Sequence, residues 1–346
     1  MRPINELARP NIMKIASSYR NDEEKRCQCN ILLDRNENPY NRPYNRYPDV
    51  SDINEIKKEI AHYRRINPQS ICVGNGCTEL TDLLFRCFCK PGKDNVVSIR
   101  PTWETYKQLA VMNGVDYREV QLDEKFETTA EKIIDACDEN TKIILLCSPN
   151  NPTGNRMDDN EIMTLADIFD GLVVVDESYA DFARRKTLRP KLNECKGLVI
   201  LDTMSTSMAG AGVRFGMAYA DKEIISILEA VSKYFPVNVL TKEFAIETLR
   251  DQFETEKRIN TILAERERVM EAFTQLPCCK KVFPSEANFF LAEMDDTETA
   301  YCRLKENGIA VKRIDNTIEG QRQQFLRITI GTKMENNQLL AVLRQM

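Results

Sequence analysis

Histidine is almost absent from this sequence, since His62 is the only one among 346 residues. It lies in the charged stretch EIKKEIAHYRR, whose pattern is typical of a solvent-exposed helix face. Ser-His-Asp and Cys-His mechanisms need an imidazole as general base, so both are nearly excluded. Any catalysis by this chain therefore needs a different set of groups.

Long apolar runs and a strong net charge are also missing. No segment approaches the roughly 20 apolar residues that span a bilayer, and the N-terminal MRPINELARPN lacks the apolar core of a signal peptide. The 48 basic and 53 acidic residues nearly balance, which argues weakly against nucleic acid as the main partner. We expect a cytoplasmic protein that binds neither membrane nor nucleic acid.

Cysteine is plentiful, with 12 residues, but its pattern points to no special chemistry. The close pairs, such as Cys87 with Cys89 and Cys278 with Cys279, are not spaced like zinc ligands. In a long chain without a visible secretion signal we interpret them as reduced thiols, and we predict no metal site.

Short apolar runs alternate with helical patterns through the first two thirds of the chain, which predicts an α/β fold with a largely parallel sheet covered on both faces. After residue 221 long charged helical stretches lead to two short strands, which indicates a second, smaller α+β domain. We expect strands at 95–99, 115–120, 142–147, 172–175, 198–201, 215–220, 288–292 and 325–330. We expect helices at 50–65, 80–89, 105–112, 129–137, 158–169, 222–233 and 241–276, and residues 1–30 read as polar and irregular.

Three segments carry a more specific signal: SPNNPTG (148–154), VVVDESY (173–179) and STSMAGAGVRFG (205–216). In that order they resemble the three signatures of class I and II aminotransferases, which are fold-type I enzymes dependent on pyridoxal 5′-phosphate (PLP). DRNENPY (34–40), NRYPD (45–49) and LRITIGTKMEN (326–336) resemble further marks of histidinol-phosphate aminotransferases. The resemblance covers nearly the whole chain.

The resemblance implies a large PLP-binding domain, with a mainly parallel seven-stranded sheet between helices, and a small α+β domain. We place an N-terminal arm with part of the small domain at residues 1–45, the large domain at 46–220 and the small C-terminal domain at 221–346. The resemblance also implies a homodimer with shared active sites, in which Tyr47 reaches the cofactor phosphate of the neighbouring subunit.

PLP needs donors for its phosphate, a carboxylate for its pyridine nitrogen and donors for its phenolic oxygen. Asp176 would face the nitrogen, while Asn151 and Tyr179 would donate to the phenolic oxygen. The other cofactor-binding residues are those expected at the phosphate, Gly76, Cys77, Thr78, Ser205 and Arg214, and the stacking candidates Trp103 and Tyr106. Singly, each has an ordinary structural interpretation, such as a cap, a turn or a surface arginine. Their joint order and spacing favour the functional one.

The substrate residues follow from the resemblance as well. Arg327 would bind the α-carboxylate of an amino acid through two parallel hydrogen bonds. Lys312 or Arg313 would lie near the substrate phosphate. The resemblance also implies that five residues line the substrate pocket, namely Asn36, Glu37, Asn38, Tyr40 and Tyr106.

Lysine is missing from the segment LDTMSTSMAGAGVRFGM (201–217), and this absence bears most on function. Thr206 occupies the position of the family's Schiff-base lysine, eight residues before Arg214. A threonine hydroxyl forms no imine and is not a base near pH 7. PLP, if bound, would be held non-covalently.

Three functions remain open on this evidence. The first is an impaired aminotransferase that converts L-histidinol phosphate and 2-oxoglutarate to imidazole-acetol phosphate and L-glutamate in histidine biosynthesis, with Tyr179 as a conceivable proton carrier. The second is a catalytically inactive, cofactor-binding homologue with a regulatory or partner role. The third, a PLP enzyme of another type with a non-lysine base, ranks last because relatives of that kind place histidine in the lysine position.

Overall fold

The computed structural model describes residues 2–18, 29, 31–40, 42, 44–184, 187–232, 236–318 and 321–346. Within those residues, no helix is both long and apolar enough to cross a membrane.

A seven-stranded sheet dominates the molecule, in the order β1-β7-β6-β5-β4-β2-β3. Its strands are β1 (Ile71–Gly74), β2 (Asn95–Arg100), β3 (Asp116–Gln121), β4 (Thr141–Cys147), β5 (Leu172–Asp176), β6 (Leu198–Thr203) and β7 (Gly216–Tyr219). Only β7 runs antiparallel to its neighbours, β6 and β1. The central strands are buried along their length because helices cover both faces, as the continuous apolar runs predict.

Helices pack on both faces of this sheet. One face carries α3 (Val50–Arg64), α6 (Ala130–Asp135), α7 (Asp159–Ile168) and α9 (Val239–Arg250). The other carries α1 (Ile4–Leu7), α2 (Pro10–Ser18), α4 (Cys77–Phe88), α5 (Thr105–Met112) and α8 (Lys222–Val231). The start of α3 is fixed by a capping box in which the Asp49 and Asp52 side chains each accept a backbone N–H of the other.

The second, smaller sheet is antiparallel, in the order β10-β11-β9-β8. It comprises β8 (Cys279–Val282), β9 (Phe289–Met294), β10 (Lys312–Ile318) and β11 (Gln321–Thr329). Its core lies against α10 (Gln252–Thr274), α11 (Thr297–Glu306) and α12 (Lys333–Leu343). The α/β architecture with a seven-stranded, mainly parallel sheet and a smaller α+β part is confirmed.

Several local expectations were wrong. The stretch expected to be irregular at residues 1–30 contains α1 and α2, which bury Ile4, Leu7 and Ile12 in the core on one face of the large sheet and contact α8. The expected helix at 241–276 is two helices, because Asp251 leaves helical geometry and caps α10 through its side chain. β1, β8, β10 and α11 were not expected, and of these β8 and β10 lack the apolar pattern of a strand in the sequence. The end of the expected helix at 222–233 lies partly outside the described residues. The division of the chain at residues 45 and 220 stays a proposal, although α8 packs against the large sheet.

Candidate active site

The candidate site lies where several strands of the large sheet end. Register pairs the last residues of β4 and β5, Cys147 with Asp176, and the last residue of β6, Thr203, with Gly216 at the start of β7. Gly216 also pairs with Gly74, the last residue of β1. The segments that the sequence analysis singled out therefore meet at one edge, as parallel strands require.

Asp176 is a buried carboxylate with three protein donors. Its Oδ2 accepts the Tyr106 hydroxyl at 2.7 Å, and its Oδ1 accepts the Ser178 N–H at 2.9 Å and the Ser178 hydroxyl at 2.5 Å. Burial raises the pKa of this carboxyl, while the donors from Ser178 and Tyr106 oppose that rise. Both carboxylate oxygens are thus fixed in place.

Asn151 joins two other expected site residues. Its amide Nδ2 donates to the Tyr179 hydroxyl at 3.1 Å, and its Oδ1 accepts from Arg327 Nη1 at 2.6 Å. Phe289 supports both partners, since its ring packs edge-on to Tyr179 at 5.1 Å and lies 5.4 Å from the Arg327 guanidinium carbon. The large and small sheets therefore contribute to one hydrogen-bonded row. Burial raises the pKa of Tyr179, so its hydroxyl stays protonated and able to donate.

Arg214 faces the loop that opens α4. Gly76 has φ +84, a backbone conformation that strains other residues, and a β-carbon built on it would lie 2.6 Å from Arg214 Nη2. Gly216 also has no room for a side chain, because its β-carbon would lie 2.4 Å from the Gly76 carbonyl carbon. Arg214 Nη1 is 3.5 Å from the Ser205 hydroxyl oxygen. The close approach brings a cation and a hydroxyl to a helix N-terminus.

Cys77 and Thr78 form the first turn of α4, which has no side-chain cap among the described residues. The first N–H groups of a helix lack intrahelical partners and attract anions. The Cys77 thiol itself donates to the Asp202 carbonyl oxygen at 3.1 Å, and burial raises the pKa of this thiol well above its ordinary value. Cys77 can thus contribute its backbone N–H to an anion, whereas its side chain is engaged elsewhere.

Thr206 lies in the loop after β6 and is half-buried. Its hydroxyl donates to the Ser178 carbonyl oxygen at 2.5 Å. Ser178 is the residue whose N–H and hydroxyl bind Asp176, so Thr206 is two hydrogen bonds away from that carboxylate. The neighbouring Ser207 donates to Asp181 at 2.6 Å.

Trp103 and Tyr106 take different positions. Trp103 is half-buried and packs edge-on to Tyr106, with ring centroids 5.2 Å apart. Tyr106 is fully buried and its hydroxyl is committed to Asp176. In this structure Tyr106 reaches the site through the carboxylate and presents no surface to a substrate.

The N-terminal segment expected to line the substrate pocket is mostly exposed in the single chain. Tyr40 and Tyr47 are 77% and 51% exposed. Asn36 has a left-handed backbone with φ +52, and the Asn38 side chain accepts the Tyr40 N–H. The Glu37 carboxylate accepts the Tyr47 N–H at 2.7 Å and pairs with Arg46 at 2.6 Å, so the segment is held by its own contacts.

Lys312 and Arg313 point to opposite faces of the small sheet. Lys312 is directly opposite Arg327 in the β10–β11 pairing, and directly opposed residues share a face. Arg313 instead pairs with the Glu298 carboxylate, and its guanidinium carbon lies 5.5 Å from the Tyr301 ring. Of the two, Lys312 lies on the face that contacts the site.

The geometry suits a flat, phosphorylated heterocycle. The α4 start, Ser205 and Arg214 form an anion-binding corner, and Asp176 offers a buried negative charge to a ring nitrogen. Sequence reasoning missed the hydroxyls of Tyr106 and Ser178 as partners of Asp176. A serine two residues after an aspartate is a recognised local hydrogen-bonding pattern and was the available signal for Ser178. No sequence signal connects Tyr106 to Asp176, 70 positions away.

Comparison with known proteins gives one consistent family. The family model described as aminotransferase class I and II matches residues 11–343. The histidinol-phosphate aminotransferase of Bacteroides thetaiotaomicron is 43% identical over 346 residues, covering 100% of this chain and 99% of that protein. The enzyme of the same name from Flavobacterium johnsoniae is 41% identical, covering 96% and 95% respectively.

Solved structures agree with the fold. The histidinol-phosphate aminotransferase from Clostridium acetobutylicum superposes with a TM-score of 0.80 at 25% identity, covering 87% of this chain and 90% of that one. The enzyme of this name from Sinorhizobium meliloti, in complex with pyridoxal-5′-phosphate, superposes with a TM-score of 0.78, covering 97% and 87%. At 18% identity this second likeness shows the fold alone.

Proposed function

The chain belongs to the histidinol-phosphate aminotransferase family of class I and II aminotransferases, and we propose that it binds pyridoxal 5′-phosphate without a covalent bond. We further propose that the pocket accepts L-histidinol phosphate as amino donor and 2-oxoglutarate as acceptor, with strongly impaired turnover. The observation that carries this proposal is an intact row of Arg327, Asn151 and Tyr179 beside Asp176, in a site whose loop offers Thr206 and no lysine.

Each part of the cofactor has a matching group in this chain. Arg214, Ser205 and the N–H groups that open α4 at Gly76 would hold the phosphate. Asp176 would accept a hydrogen bond from the protonated pyridine nitrogen, and Tyr179 would donate to the phenolic oxygen. The bound cofactor supplies a protonated ring that withdraws electrons from the substrate α-carbon.

The substrate has candidate partners on the small sheet. Arg327 would bind the α-carboxylate, and the bond to Asn151 already orients its guanidinium. Lys312, on the same face, would meet the substrate phosphate. We expect Tyr47, Asn36, Glu37, Asn38 and Tyr40 to complete the site in a homodimer, with Tyr47 reaching the neighbouring subunit.

Thr206 limits what the site can do. We propose that it stands at the position where family members carry the cofactor-anchoring lysine, eight residues before Arg214. That lysine provides an amine and moves the proton at the substrate α-carbon, and a threonine hydroxyl does neither near pH 7. The loss of a positioned general base costs about 10²–10⁴ in rate.

The test is the variant Thr206→Lys, with Thr206→Met as a control of similar length that lacks the amine. We expect Thr206→Lys to raise the transamination rate of L-histidinol phosphate by about 10²-fold or more over the natural chain, and Thr206→Met to bring no such gain. Borohydride reduction followed by mass spectrometry should attach PLP to the Thr206→Lys protein alone.

Two results would contradict the proposal. If the natural chain binds no PLP, as judged by the absence of an induced visible circular dichroism signal, the proposed cofactor is wrong. If its turnover matches that of Thr206→Lys, another residue moves the proton and the impairment is wrong.

A further inference from the structure

The threonine hydroxyl is engaged in a specific contact. Thr206 Oγ1 donates to the Ser178 carbonyl oxygen at 2.5 Å, across 28 positions of sequence. A lysine ammonium or amine that extended towards a cofactor would leave that carbonyl without this donor. The contact thus requires a hydroxyl at this position, which threonine supplies and serine could also supply.

Ser178 connects Thr206 to Asp176 through hydrogen bonds. Its N–H and hydroxyl both donate to Asp176 Oδ1, at 2.9 and 2.5 Å. The Ser178 carbonyl oxygen accepts the Thr206 hydroxyl, so hydrogen bonds hold the turn after β5 through both the N–H and the carbonyl of Ser178. We call this set of hydrogen bonds, from Thr206 through Ser178 to Asp176, the Ser178 bridge.

The carboxylate at the end of the bridge has little freedom left. Its second oxygen accepts the Tyr106 hydroxyl at 2.7 Å, and Tyr106 is buried and packed edge-on against Trp103. A non-covalently held cofactor depends wholly on such contacts, because it has no covalent tether. A group that is already oriented loses less entropy when it binds.

We propose that Thr206 is a positioning residue, whose hydroxyl holds the Ser178 turn so that the Asp176 carboxylate is oriented for the pyridine nitrogen of a non-covalently bound cofactor. The inference rests on the proposed function for the identity of the cofactor. It makes Thr206 a residue with a role of its own and not only the place of a lost lysine.

The matched variants are Thr206→Val and Thr206→Ser. Valine keeps the branched shape and removes the hydroxyl, whereas serine keeps the hydroxyl and removes the methyl group. PLP affinity can be followed through fluorescence quenching of Trp103, the only tryptophan in the chain. We expect Thr206→Val to weaken PLP binding by about threefold to tenfold, as for the loss of one hydrogen bond, and Thr206→Ser to bind like the natural chain.

A second readout needs no cofactor. The Ser178 N–H donates to Asp176, so its hydrogen exchange reports on the bridge directly. In the empty protein we expect peptides covering residues 176–180 to exchange about threefold to tenfold faster in Thr206→Val and unchanged in Thr206→Ser. Peptides covering β4 (Thr141–Cys147) should exchange at the natural rate in both variants, which separates a local role from general destabilisation.

The two proposals fail differently. If the natural chain does not bind PLP, the proposed function is wrong, and the exchange experiment still decides whether Thr206 holds the Ser178 turn. If PLP binds but Thr206→Val matches Thr206→Ser in both affinity and exchange, the positioning role is overturned. Faster exchange in β4 as well would overturn it too, because Thr206 would then stabilise the whole fold.

Discussion

Asp176 shows how single residues set the chemistry of this site. Burial raises its carboxyl pKa, and the donors on it counter that rise, the hydroxyl of Ser178 foremost. The charge of Asp202 on β6 also raises the pKa of Asp176. The charge of Asp176 in turn raises the pKa of four neighbours, Cys77 on α4, Tyr106 on α5, Cys147 on β4 and Tyr179. Because burial and the hydrogen-bond donors shift the pKa of Asp176 in opposite directions, we expect the loss of one donor to change that pKa.

Ser178→Ala removes one of those donors. The pKa of Asp176 should then rise. As the pH falls, Asp176 becomes protonated at a higher pH than in the natural chain, and its negative charge no longer pairs with a protonated pyridine nitrogen. We expect the acid limb of PLP binding to move upward by about half a unit to one unit, since one hydrogen bond is worth that much. The measurement is the PLP dissociation constant as a function of pH.

Ser205→Ala serves as the control for that shift, because Ser205 lies at the anion-binding corner beside Arg214. It should weaken binding across the pH range and leave the acid limb in place. An unmoved acid limb in Ser178→Ala, in a protein with native circular dichroism, would mean that the serine hydroxyl does not tune Asp176.

The principal polar residues of the candidate site could be predicted from the sequence, but the residues that hold them in place could not. Asp176 ends one buried strand of the parallel sheet and Thr206 follows another, and such strand ends meet at one edge. Arg327 could be placed through the resemblance of LRITIGTKMEN. Its contacts with Asn151 and Phe289 join the two sheets, and such long-range packing leaves no local pattern.

At the scale of the element, two of the strands missed by sequence reasoning, β8 and β10, have no apolar rhythm. β10 reads KRIDNTI at the edge of the small sheet, and β8 reads CKKV at the other edge. Edge strands need little apolar pattern and often carry charged side chains, which keep them from pairing with other molecules. The helix break at Asp251 was hidden for a different reason, because the charged pattern of α9 and α10 continues across it.

The register of β10 favours Lys312 over Arg313 as the residue that would meet the substrate phosphate. Lys312 is opposite Arg327, while Arg313 is opposite Leu326 and pairs with Glu298. We expect Lys312→Met to weaken binding of L-histidinol phosphate to the PLP-loaded protein by about tenfold or more, since a charge-assisted contact is lost. Calorimetry with L-histidinol, which lacks the phosphate, should show no such loss.

Arg313→Met is the matched variant on the opposite face. It removes an equal charge one residue further along β10, and we expect L-histidinol phosphate to bind it within about twofold of the natural chain, because the residue lies on the other side of the strand. A larger loss in Arg313→Met than in Lys312→Met would place the phosphate on the wrong face of the small sheet for this proposal.

At the scale of the whole molecule, the segment 31–47 is unusual for its exposed apolar side chains. Leu33 is 89% exposed and Ile31 is 79% exposed, and more than half of each of Tyr40, Tyr44 and Tyr47 is exposed. Exposed apolar patches on a folded chain mark contact surfaces. We propose a second copy of the chain as the partner, as the family resemblance implies, with Tyr47 reaching the neighbouring cofactor phosphate.

Subunit mixing tests that arrangement. In a symmetric dimer the Tyr47→Ala homodimer lacks the tyrosine in both sites, and the Asp176→Ala homodimer lacks the carboxylate in both, so each should bind PLP poorly. A mixed dimer has one site without either residue and one that keeps both, because Tyr47 comes from the subunit that does not supply Asp176. Mixed dimers isolated through two different tags should therefore regain about half of the PLP signal of the natural dimer. If they regain none, Tyr47 serves the site of its own chain, and the exposed segment contributes to binding without crossing between subunits.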